Sequence, residues 1–73
     1  MSMKILPSRR LRQEVAQFKN PRTAAKAWDI EPWSLERFLL LKGGVTGTTI
    51  AKIIEATGLD YDVLFEHERE VKP

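Results

Sequence analysis

A chain of 73 residues makes one domain with a thin core, so each large apolar side chain carries weight. With no cysteine, a disulfide framework and a thiolate metal site are excluded, and no apolar run approaches the roughly 20 residues of a membrane span. The net charge of +2 is unevenly placed: nine basic residues face four acidic ones through Lys42, and three face six after it, which suggests an anionic partner for the front half.

Residues 1–8 lack a helical period and read as a mixed basic and apolar arm, since Pro7 holds the residue before it out of the helical region. The arm has no apolar core of a signal peptide, and the chain is expected in the cytoplasm. Ser8 offers an N-cap oxygen, and Leu11, Val15 and Phe18 follow at helical spacing, which predicts a first helix over 9–19. Asn20 and Pro21 start a second helix over 21–28, with Ala24, Ala25 and Trp28 on one face; two alanines before a large ring predict a close crossing plugged by the indole. A tight connection through Asp29, Ile30 and Glu31 leads to Pro32, which restarts the chain as a third helix carrying Leu35, Phe38 and Leu39 inward and ending near Lys42 before Gly43 and Gly44.

Thr46 or Thr48 caps a fourth helix, whose face is Ile50, Ile53, Ile54 and Thr57 and whose stop is Gly58. Asp60 caps a short last helix with Val63, Leu64 and Phe65, and 66–73 reads as a charged, frayed tail. No strand is expected. The expected architecture is all-α: a compact bundle of about five short helices with a central helix-turn-helix in 9–65, flanked by the arm and the tail.

The stretch 22–65 resembles the lambda-repressor-like, Cro/C1-type helix-turn-helix family. Residues 24–30 look like its second helix and turn, Arg37-Phe38-Leu39 like part of its third helix, 49–59 like its fourth and 62–65 like its closing turn. The resemblance implies duplex DNA as partner, with Pro32, Trp33, Ser34 and Arg37 at the base-reading positions and Arg22, Lys26, Lys42, Thr46 and Thr48 at or near phosphates. The sequence departs from the family at Asp29 and Leu41, where glycine is usual. Asp29 must then adopt a left-handed turn, and Leu41 suggests that the third helix is prolonged toward Gly43.

The chemistry of the third helix points elsewhere. Good major-groove readers are Arg, Lys, Asn and Gln; Pro32 has no donor, the Trp33 indole has only one, and Glu31 and Glu36 oppose phosphate. Trp33, Leu40 and Leu41 fall outside the inward stripe, and an exposed Trp ringed by Glu and Arg resembles a protein-binding hot spot. On this reading the partner-binding residues are Lys4, Ile5, Leu6, Arg9, Arg10, Glu31, Trp33, Glu36, Arg37 and Leu40. Ile5 and Leu6 are candidates to pair as an added strand with another protein, or the arm to enter a minor groove. In size and simplicity the chain also resembles small phage regulators that bind host RNA polymerase.

One histidine, His67, lies in the charged tail, so no nucleophile–histidine pair forms in the core, and no enzyme, cofactor, metal or small-molecule substrate is expected. The favoured expectation is a transcription regulator that binds RNA polymerase or an associated factor. Operator binding with the third helix in the major groove is the alternative, and an antitoxin or other protein-binding module the second.

Overall fold

A computed structural model describes residues 4–68. The element order is β1 (Ile5–Pro7), α1 (Arg9–Ala16), α2 (Pro21–Ala27), α3 (Pro32–Leu39), α4 (Gly47–Thr57), α5 (Tyr61–Leu64) and β2 (Phe65–His67). The fold is thus mostly helical, with a small sheet that corrects the all-α expectation. No described helix is long and apolar enough to cross a membrane.

Each helix starts for a local reason. The Ser8 hydroxyl accepts from the Leu11 N–H and donates to the Val63 carbonyl at 2.7 Å, so one buried side chain both caps α1 and ties it to the far end of the chain. Asn20 accepts from the Thr23 N–H at the head of α2, where Pro21 occupies the first turn. Thr46, rather than Thr48, caps α4 by accepting from the Thr49 N–H. Two caps are bare: Glu31 at α3 and Asp60 at α5 form no side-chain cap bond, so the expected side-chain cap at Asp60 is replaced by its carbonyl, which accepts from Val63 and Leu64.

Helix ends differ more from expectation. α1 closes at Ala16 rather than near 19, and Phe18 leaves the helix to meet the Trp28 ring edge-on, with centroids 5.7 Å apart. α2 and α3 end in the same way. The N–H groups of Asp29 and Ile30 reach back to the carbonyls of Lys26 and Ala25, and those of Leu41 and Lys42 reach back to Phe38 and Arg37. These are paired Schellman closures, which put the residue after the cap in the left-handed region. Asp29 has φ 59°, as expected, and Leu41 has φ 62°. Leu41 therefore terminates α3 two residues before Gly43 instead of prolonging it.

The core comprises Leu11, Val15, Ala24, Ala25, Trp28, Leu35, Phe38, Ile53, Leu64 and Phe65. The alanines admit α3 close against α2, and Trp28 is 6 % exposed, as its role of plug requires. Phe38, Phe65 and Tyr61 form an aromatic run with centroid spacings of 6.0 and 5.1 Å, and the Tyr61 hydroxyl meets His67 Nε2 at 2.8 Å.

The arm and the start of the tail correct a second expectation. β1 and β2 pair antiparallel with Ile5 opposite His67, Leu6 opposite Glu66 and Pro7 opposite Phe65. The Ser8 N–H donates to Leu64 and the Glu68 N–H to Lys4, extending the ladder at both ends. Ile5 packs on the core and Pro7 is buried. The strand partner of Ile5 and Leu6 is thus the chain's own residues 65–67, and the expected fraying fails for Glu66, His67 and Glu68. The remainder of that expectation, 69–73, lies outside the described residues, as does 1–3 of the arm.

Candidate functional site

α2 and α3 pack together across the turn 28–31, and the inward stripe of α3, Leu35 and Phe38 with half-buried Leu39, is consumed by the core. What α3 shows to solvent follows from the remaining positions. Trp33 and Leu40 are seven residues apart, two helical turns, and so share a face; they are 57 % and 64 % exposed. Leu41, turned outward beyond the helix end, is 49 % exposed. The three apolar residues left over by the inward stripe are therefore surface residues, with Trp33 at the start of α3 and the leucines at its end.

The charged candidates are less free than their spacing implied. Arg22, a phosphate candidate, and Glu36, a protein-contact candidate, bind each other: Arg22 Nε donates to Glu36 Oε1 at 2.9 Å. The Arg37 guanidinium lies 5.7 Å from the centroid of the Trp33 ring and donates to the Lys42 carbonyl at 3.3 Å, so it holds the indole and the loop after α3 together. Lys26 and Lys42 form no ion pair among the described residues. Ser34 is half-buried, and Glu31 is exposed at its bare cap. Thr46 is spent on its cap, its oxygen also meeting the Thr49 hydroxyl at 3.1 Å, while Thr48 stands exposed in the first turn of α4.

The arm candidates divide by side chain. Lys4, Arg9 and Arg10 are exposed, with Arg10 paired to Glu14 at 3.2 Å. Ile5 and Leu6 are half-buried in the strand, so Ile5 serves the core and not an outside partner. β1 packs against α3, which brings the arm beside that helix although α1 and α2 lie between them in the chain.

Sequence reasoning missed Arg12. Its guanidinium donates to the Leu39 carbonyl at 2.8 Å, fixing α1 to the C-terminal end of α3 and placing a cation beside Leu40. No local signal marks it, because its partner is a backbone oxygen 27 residues away. Lys52 was also unmarked: it donates to the Asp29 carbonyl at 2.9 Å and lies 3.5 Å from the Asp29 carboxylate, bracing the left-handed turn from α4.

Two depressions flank the start of α3. One, of about 300 Å³, lies between the turn and α4 and is lined by Asp29, Ile30, Glu31, Pro32, Thr49 and Lys52. The other, of about 510 Å³, opens between α2 and α3 and is lined by Asn20, Arg22, Thr23, Lys26, Pro32 and Trp33. Neither contains a catalytic constellation. No family model matches the chain, and no curated protein and no solved structure matches it.

Proposed function

We propose that this protein is a small transcription regulator of phage type, built on a helix-turn-helix scaffold, that acts by binding RNA polymerase or a factor associated with it. The observation that carries this reading is the exposure of Trp33, Leu40 and Leu41 along and just beyond a helix whose one guanidinium, that of Arg37, is engaged within the domain. An apolar group in water gains by burial against a partner, about 25 cal/mol per Å², whereas a base reader needs amides or free guanidinium groups. Arg12, held at the Leu39 carbonyl, sets a cation next to the exposed leucines, and charge at the edge of apolar residues is the usual anatomy of a protein interface.

The test is direct capture with purified RNA polymerase, followed by transcription in vitro. The wild-type chain should be retained by the enzyme and change transcript yield. Leu40→Asp should lose both while keeping its helical circular dichroism, because Leu40 lies outside the core. Retention of the Leu40→Asp protein at wild-type strength would remove this reading.

The operator-binding alternative keeps one specific support. The head of the 11-residue α4 carries exposed Thr48, and Lys26 and Lys42 are without ion-pair partners among the described residues, a set suited to phosphate. A sequence-selective footprint on duplex DNA, weakening steeply with salt, would establish that alternative instead.

A further inference from the structure

We propose that the groove between α2 and α3 binds single-stranded nucleic acid, one unstacked base lying against the Trp33 ring and the adjoining phosphates against Arg22 and Lys26. This goes beyond the protein-docking reading and shares only Trp33 with it.

Three features support the assignment. The groove, of about 510 Å³, brings one exposed aromatic ring and two cations to a single concavity, the combination by which proteins hold single strands without reading their sequence. The ring is presented by design of its surroundings: Arg37 lies 5.7 Å from its centroid, which restrains an indole that is otherwise 57 % exposed. Arg22 is likewise oriented but not consumed. Glu36 takes only its Nε, and the two terminal nitrogens make no hydrogen bond among the described residues, leaving that edge for a phosphate. Lys26 adds a second cation with no ion-pair partner among the described residues.

The same features disfavour a duplex in this groove. A stacked base has no face to offer an indole. The one amide of the lining, Asn20, spends its Oδ1 on the Thr23 N–H and hydroxyl, and Pro32 has no donor. The groove sets an exposed ring beside its charges, which suits an unstacked base and its phosphates better than the edge of a paired one.

The two tryptophans make the test selective, since Trp28 is 6 % exposed and Trp33 is the one a ligand can reach. The full chain is titrated with eight-residue oligo(dT) and oligo(U), and separately with a mixed duplex of equal length. Intrinsic fluorescence and the anisotropy of labelled oligonucleotides are both followed. Quenching by either single strand is expected, with the affinity falling about sevenfold between 50 and 200 mM salt, the slope for two neutralised phosphates on a single strand.

Lys26→Glu, an exposed change, should weaken binding at least fivefold, and Trp33→Phe should remove the quench while leaving part of the anisotropy signal. Leu40→Asp should bind oligonucleotide as the wild type does, which separates this site from the polymerase surface. Absence of binding at low salt, equal binding of the duplex, or unchanged binding by Lys26→Glu would each overturn the proposal.

Discussion

Leu41 is the residue whose backbone costs most. A branched side chain at φ 62° places Cβ against the following carbonyl oxygen, at about 1–2 kcal/mol. Glycine removes that cost but adds about 0.5–1 kcal/mol of backbone entropy to the unfolded chain. Because Leu41 is half exposed, little burial is lost with its side chain. Leu41→Gly should therefore raise the thermal midpoint by about 2–6 °C in a melting experiment, and an unchanged or lower midpoint would mean that the leucine packs more than its exposure implies. The same substitution trims the proposed polymerase surface, so a more stable protein with weaker polymerase binding is the expected pair of results. Asp29 sits in the same geometry with less need of relief. Its short polar side chain tolerates the left-handed region, and Lys52 braces its carbonyl.

At the scale of elements, α3 is the less well-begun helix of the α2–α3 pair. Asn20 satisfies an N–H at the head of α2, whereas Glu31 satisfies none at the head of α3. A shorter side chain with an oxygen one bond from Cβ reaches the N–H of the third helical residue, which the longer glutamate does not here. Glu31→Ser should stabilise the domain by about 0.5–1 kcal/mol, read as a shift of the urea midpoint at constant slope; destabilisation would show that Glu31 has a structural partner. Most starts of the helices were legible in the sequence because caps and prolines act on their own neighbours: Ser8, Asn20, Pro21 and Pro32 stand where they were expected, and the structure chooses Thr46 over Thr48. Their ends were less legible. Phe18 continues the spacing of Leu11 and Val15 yet lies beyond α1, since packing against Trp28 satisfies it better than another helical turn. Leu41 carries no turn signal, and α3 closes there because the Schellman bonds from Leu41 and Lys42 outweigh the residue's own preference.

For the molecule as a whole, the sheet of β1 and β2 joins the two ends of the described chain. It includes buried Phe65, seats Ile5 on the core and works with Ser8, whose hydroxyl spans α1 and α5. Removal of residues 1–6 should lower stability by about 2–3 kcal/mol, chiefly the buried part of Ile5 together with the ladder bonds. Denaturant unfolding checks this, and a truncated chain as stable as the full one would reduce the sheet to an ornament of the surface. The charge split acts on the same scale. The acidic residues after Lys42 sit partly on the strand beside the basic arm, with Leu6 opposite Glu66, so the field of the front half is moderated by the back half.

The mainly helical character, the order of five helices, the caps at Ser8 and Asn20 and most of the core were readable from the residues alone, because those properties depend on spacings of three and four and on side chains that bond their nearest neighbours. The candidate site was readable only as an inventory. That Arg22 is held by Glu36, that Arg12 grips Leu39 and that the arm pairs with 65–67 were decided by tertiary structure. Each joins groups on different elements or at a helix end, and the free energy of such a contact depends on a distance that no local pattern encodes.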